Sequence, residues 1–184
     1  MISTINATRC EGLPLALDWT SVETRFGLVH IAYSGLCPHF VSLGSADAFC
    51  DWVRSTGKGL ALRDEVVAPH DLQGVFRCLR DPRRAYNGPL ALAGQTPFQR
   101  QVLEATRTIA CGKTCTYGEL AARIGRPQAA RAVGTALGHN PLPLLIPCHR
   151  VVAAGSRLGQ YSDGGETMKR RLLAHEGVEV ASLR

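Results

Sequence analysis

Three short runs near the start of the chain, LALDWT (15–20), GLVHIAY (27–33) and HFVSLG (39–44), gather β-branched and aromatic residues, with RFG and SGLCP turns between them. Runs of this length and composition predict a meander of short strands. The apolar period then lengthens from two to about 3.6. Ser45 is placed to cap a helix in which Ala48, Phe49, Trp52 and Val53 share one face and which Gly57 closes. Leu72, Val75, Phe76 and Leu79, spaced i, i+3, i+4, i+7, predict a second helix with a core stripe. No metal-ligand set or catalytic cluster stands out in this half, which reads as scaffold.

The Pro/Gly-rich stretch RDPRRAYNGPLALAG (80–94) reads as a connection. After it, QTPFQRQVLEATRTIA opens a helix with Thr96 as N-cap, Pro97 as first helical residue and Gln99 reaching back. TYGELAARIG repeats the pattern: Thr116 and Glu119 form a capping box, and Gly125 stops the helix. RPQAARAVGTALGHN predicts a helix from Pro127 to about Gly138. Two short helices joined by a tight glycine turn outline a helix-turn-helix. The predicted class is therefore α/β (α+β): a small N-terminal α/β domain with antiparallel strands (1–88), then a mainly helical domain containing the helix-turn-helix (89–184).

Charge sharpens this division. Residues 1–90 carry 9 Lys+Arg against 9 Asp+Glu, while residues 91–184 carry 12 against 6, so the whole excess of +6 belongs to the second half. A basic half on a neutral one suggests a polyanionic partner, most often nucleic acid. The second helix of the pair, Ala129-Ala130-Arg131-Ala132-Val133-Gly134, has few donors for reading base edges, so sequence-specific readout is not expected. By itself it reads more simply as a small-residue helix packed on a neighbour, with Arg131 solvated. No apolar run is long enough for a membrane span, and the N-terminus lacks a signal-peptide layout, so an intracellular protein is expected. Seven scattered cysteines, an odd number, argue against a disulfide framework and for free thiols.

The chemistry concentrates in LIPCHRVVAAG (145–155). Cys148 could be small apolar filler, or it could be a nucleophile whose thiol pKa His149 lowers. His149 would then need an orienting acceptor. Glu176 is the first candidate, with Glu166 and Asp163 behind it, and a water is expected to bridge His149 and Cys148. Zinc held by Cys111, Cys115, Cys148 and His149 is disfavoured because CGKTC runs straight into a helix cap. A cysteine protease would use a distant histidine and would leave the basic half unexplained.

TPFQRQVLEAT, TYGELAARIG, AARAVGTALGHNPLPLLIPCHRVV and GQYSDGGETMKRRLLAHEG resemble, in order and spacing, the O6-alkylguanine-DNA alkyltransferase family over about residues 90–177. The resemblance implies a single-use DNA repair protein that moves the alkyl group of O6-alkylguanine in double-stranded DNA onto Cys148. O4-alkylthymine stays open as a second target. It implies His149 as water-bridged base, Glu176 as the carboxylate orienting it, and Asn140 as brace of the cysteine loop. Arg131 would enter the minor groove in place of a flipped nucleotide, with Ala129, Ala130 and Gly134 against the DNA. Tyr117 would help rotate the nucleotide and hydrogen-bond the purine. Val151 and Cys148 would offer carbonyls to the guanine edge, and Tyr161, Ser162 and Pro143 would line the pocket. No cofactor, metal or membrane is implied, and a monomer is expected, cytoplasmic and nucleoid-associated in a prokaryote or nuclear in a eukaryote. YSDGGETMK departs from the family's small glycine-rich loop, putting Asp163 and Glu166 near a phosphate-facing wall, a departure that bears on adduct size. Cys111, where a proline is common, reads as packing. The rival readings are a non-catalytic sensor that flips and flags lesions, and a helix-turn-helix regulator.

Overall fold

The computed structural model describes residues 16–56, 61–65, 72–155 and 157–182. The predicted meander is present as β1 (Ala16–Thr24), β2 (Gly27–Ser34) and β3 (Cys37–Leu43), paired antiparallel. β2 is buried on both faces. Val29, Ile31 and Tyr33 face the main core, while Ala32 faces the helix α1 (Ala46–Thr56), as the period-two geometry of a strand requires. Ser45 caps α1, accepting from the Ala48 amide at 3.2 Å. Phe49 and Val53 are buried and Trp52 is half-buried, but Ala48 is exposed and Cys50 takes its place inside. Gly57 lies outside the described residues.

A fourth strand, β4 (Ala61–Glu65), escapes the sequence reading; its ALRDE has no alternation to mark it. It pairs parallel with β1, giving the order β3-β2-β1-β4. α2 (Gln73–Arg80) buries Val75, Phe76 and Leu79, with Leu72 just before it, against the opposite sheet face. The main core continues from these residues into the second half, through Val102, Leu103, Leu120, Val133, Leu142 and Ile146. Cys37 departs from the reading of free thiols: it is disulfide-bonded.

In the second half, α3 (Pro97–Arg107) and α4 (Tyr117–Arg123) both begin with complete capping boxes, at Thr96/Gln99 and Thr116/Glu119. α5 (Ala130–Gly138) starts three residues later than predicted. Pro127 sits in a turn closed by the Ala129 amide on the Arg126 carbonyl (2.9 Å), where its fixed φ suits a turn's second position. β5 (Cys115–Thr116) pairs parallel with β6 (Val151–Val152), tying the start of α4 to the end of the CHR turn. α6 (Gly165–His175) closes the fold.

β3 is a sheet edge, and an edge strand leaves every second N–H open. Two of these are taken by loops of the second half: Val41 donates to the Pro141 carbonyl at 2.8 Å, and Leu43 donates to the Asp163 carboxylate at 2.9 Å. The small sheet thus fixes both loops that flank Cys148.

The capping box at Thr116 holds Tyr117 at the first position of α4. Thr116→Ala should lower stability by about 1 kcal/mol in chemical denaturation, with Thr116→Ser close to wild type. An unchanged midpoint for the alanine variant would show that the cap contributes nothing.

Candidate active site

Cys148, His149 and Arg150 form one 3₁₀ turn, buried throughout, between Pro147 and β6. The loop before it is held by Asn140. Its Oδ1 accepts from the Leu142 amide (3.0 Å), and its Nδ2 donates to the Ile146 carbonyl (3.1 Å) and to Cys148 Sγ (3.0 Å). Leu144, buried in that loop, has φ +70°, a left-handed conformation that a branched side chain adopts only under constraint.

Glu176 caps the C-terminus of α6 with its side chain fully buried. Oε1 lies 2.9 Å from His149 Nε2 and 2.8 Å from Arg150 Nη2; Oε2 accepts from Arg150 Nε at 2.9 Å and from the Gly112 amide at 3.3 Å. Burial alone would raise the carboxyl's pKa, but the His149 and Arg150 hydrogen bonds outweigh it and hold it down at about 2. An ionised carboxylate only accepts, so His149 carries its proton on Nε2. Burial lowers the pKa of His149 and Glu176 opposes that shift, with burial the stronger. The neutral ring therefore presents Nδ1 as a bare acceptor, buried and without a protein hydrogen bond. Asp163 and Glu166, the other carboxylates weighed for this role, are elsewhere: Asp163 binds β3, and Glu166 pairs on the surface with Arg170 at 3.0 Å.

One expectation is overturned. The sequence suggests a thiol pKa lowered by its neighbour, but burial pushes the Cys148 thiol up to about 11, despite the Asn140 amide and the Lys169 charge acting the other way. At rest Cys148 is a thiol, and use of it as a nucleophile would require loss of that proton.

Cys148 lies at a pocket of about 170 Å³ lined by Tyr117, Gly134, Gly138, Gln160, Tyr161 and Ser162, with Leu137 beneath. Gly134 and Gly138 belong to α5, so the small-residue helix is a wall of the pocket as well as a surface. Gly159 has φ +75°, and a Cβ there would lie 3.1 Å from the Tyr117 hydroxyl, so only glycine fits. The Tyr161 hydroxyl is buried without a protein partner, and its ring meets His149 edge-on at 6.5 Å. Arg131 is exposed on α5, and Ala129 and Ala130 are half-buried beside it. Pro143 lines a neighbouring cavity instead of this pocket. Val151 does not line the pocket either: its carbonyl accepts from Lys169 Nζ at 2.6 Å. Among the described residues no group of three His, Cys, Asp or Glu side chains is arranged to hold a metal ion.

Two residues of this site went unassigned in the sequence. Arg150 donates to Glu176, to the Ile109 carbonyl (2.6 Å) and to the Pro82 carbonyl (2.9 Å), joining three segments. Lys169 is fully buried, 5.8 Å over the Tyr117 ring, and burial lowers its pKa to about 8. The signal was available: Lys169, Leu172, Leu173 and Glu176 share the i, i+3, i+4, i+7 stripe of α6, and charges on a buried stripe must have partners.

Residues 97–178 match the family "6-O-methylguanine DNA methyltransferase, DNA binding domain". The methylated-DNA–protein-cysteine methyltransferase of Salmonella typhimurium is 54% identical over 84 residues, 46% of this chain and 48% of that protein. The mouse protein of the same name is 52% identical over 85 residues, 46% of this chain and 40% of that one. These matches thus span less than half the length of either relative. Solved structures extend the likeness over both halves. A Mycobacterium tuberculosis OGT in complex with DNA is 30% identical with a TM-score of 0.69, covering 90% of this chain and 94% of that one. The O6-methylguanine-DNA methyltransferase of Pyrococcus kodakaraensis is 28% identical with a TM-score of 0.68, covering 88% and 99%.

The Glu176 hub has a pH signature. Its folded pKa of about 2 lies below the ordinary 4.5, so its contribution is fully present above about 4.5 and is lost as pH falls towards 2. That loss should be on the order of 3 kcal/mol in acid unfolding. Glu176→Gln should lack this component and lose about 3–5 kcal/mol at neutral pH, because Arg150 is left buried and unpaired. An acid slope shared by both proteins would contradict the hub.

Proposed function

The chain belongs to the O6-methylguanine-DNA methyltransferase family, and from that premise we propose that it repairs O6-alkylguanine in duplex DNA by transferring the alkyl group onto Cys148. The observation that carries this reading is the position of Cys148 Sγ. It opens on a pocket walled by α5, while the adjacent His149 is anchored to Glu176 through Nε2 and keeps Nδ1 free to take a proton.

An alkylated base inside a duplex is out of reach of a buried thiol, so it must be turned out of the stack, at a cost of a few kcal/mol. A helix of small residues can approach the minor groove closely, and Arg131, exposed at its start, is long enough to fill the gap left by the base. The grip is on phosphates and shape, not on base edges. Inside the pocket the unpartnered Tyr161 hydroxyl and the Ser162 amide are available to the purine. Burial raises the pKa of Tyr117, which keeps its hydroxyl protonated as a donor.

The step is a displacement at the alkyl carbon. The Cys148 S–C bond forms as the C–O6 bond breaks. The thiol proton passes to His149 Nδ1, directly or through a water, and the departing guanine takes a proton from Tyr117 or solvent, so it leaves neutral. The resulting imidazolium is stabilised by Glu176, and the Lys169 ammonium supports the developing thiolate. The thioether has no leaving path, so each molecule reacts once.

Mixed with O6-methylguanine duplex, the protein should gain one methyl mass per chain, mapped to Cys148, and show no second turnover. Cys148→Ala should lose all transfer yet still bind the lesion duplex. Binding without any mass gain in the wild type would instead indicate a lesion sensor. Arg131→Ala should slow repair of duplex DNA far more than transfer from free O6-benzylguanine; equal slowing of both would place Arg131 in helix packing.

A further inference from the structure

Charges over residues 1–90 balance by number but not by placement. Arg80, Arg83 and Arg84 of the RDPRR stretch meet Arg25 of the β1–β2 turn and Arg171 of α6 on one face, and all five are exposed. Arg25 and Arg80 line one open groove beside Leu28. Arg25 Nη1 donates to His175 Nδ1 at 2.8 Å. A guanidinium only donates, so the His175 proton sits on Nε2, 3.2 Å from Asp81 Oδ1. The Asp81 carboxylate also accepts from Arg83 Nε at 2.8 Å and Nη2 at 3.1 Å, with Arg84 Nε 3.8 Å away. Arg171 donates to the Arg25 carbonyl at 3.1 Å and lies 5.7 Å over the Phe26 ring.

Five guanidinium groups thus share a face with two carboxylates, Glu23 and Asp81. The excess is positive, and Arg80 and Arg171 have no carboxylate partner among the described residues. Arg25, Arg83 and Arg171 are held before any ligand arrives, which lowers the cost of ordering them. Planar guanidinium forks suit phosphate oxygens, which they can meet two at a time. Phe26 is buried beneath Arg171 and offers no platform on which unpaired bases could stack. This chemistry fits the phosphate backbone of a duplex, gripped without regard to sequence. None of the five arginines belongs to α4 or α5 or lines the pocket at Cys148. His175 serves this face, while its neighbour Glu176 serves the CHR turn. A duplex on α5 leaves the face open.

We propose that this arginine face is a second duplex-binding surface, separate from α5, through which the protein passes directly from one stretch of DNA to another. It rests on the α5 grip proposed above. A protein that reacts once and must find rare lesions gains from a search that does not release it into solution between segments.

Release from a labelled lesion-free duplex, chased in stopped flow with unlabelled duplex, reads this transfer. In the wild type a roughly tenfold rise in chase concentration should speed release about threefold or more, because the incoming duplex binds before the first one leaves. The triple variant Arg80→Ala/Arg83→Ala/Arg84→Ala should release at a rate that the chase concentration does not change. Its transfer from free O6-benzylguanine to Cys148 should stay within about twofold of wild type, since the two sites are separate. A wild-type rate independent of the chase overturns the proposal, and so does a chase dependence retained in the variant. If the triple variant does not fold, Arg80→Glu, which removes no hydrogen bond among the described residues, takes its place with the same two outcomes. A poly-glutamate chase that speeds release as strongly as duplex would assign the face to an acidic polypeptide and overturn the duplex reading. No binding of any duplex would overturn this surface and the proposed function together. Chase dependence without alkyl transfer to Cys148 would support the surface and count against the proposed function alone.

Discussion

The carboxylate of Glu176 stands where a negative charge is hard to keep, buried and at the C-terminal end of α6, where the helix dipole opposes it. It stays ionised because Arg150, His149 and the Gly112 amide all donate to it. Each donor brings a different segment with it. Arg150 reaches back to carbonyls at Pro82 and Ile109, so the connection between α2 and α3 and the end of α3 converge on the same charge. The CHR turn cannot shift without exposing this pair or leaving it unpaired, and the position of Cys148 follows from it.

The same burial that makes the hub rigid makes the thiol a poor acid. Cys148 is held as a thiol at about 11, and Lys169 sits near enough to oppose that without reversing it. A permanently ionised thiolate would be open to any electrophile or oxidant that reached the pocket. Under the proposed transfer, a thiol that loses its proton to His149 only when an alkyl carbon is in place is protected until then. In this arrangement activation lies in the coupling between two groups, and neither shifted pKa reveals it alone.

Much of this was legible in the sequence where local rules act. The capping boxes at Thr96 and Thr116, the meander and the stripe of α2 each depend on residues close in the chain. For His149, residue chemistry put Glu176 first among three carboxylates and the family resemblance singled it out, since 26 intervening residues give no geometric clue. β4 was missed because ALRDE has no alternation, and the start of α5 was misplaced because Pro127 serves a turn as readily as a helix. The placement of Asp163 was not legible at all. A carboxylate in a glycine-rich loop reads as solvated, and only the open edge of β3, set by long-range strand order, gives it a partner. The N-terminal half, read as scaffold, thereby shapes both loops at the site.

The central claim is that His149 waits as a neutral ring, protonated on Nε2 towards Glu176 and bare on Nδ1. Nitrogen-15 NMR of the imidazole, recorded across neutral pH, measures this directly. The account predicts one protonated and one unprotonated ring nitrogen, with the proton on Nε2 and no titration to the imidazolium above the usual histidine range. A ring carrying a proton on Nδ1, whether as the other tautomer or as a resting imidazolium, would contradict it.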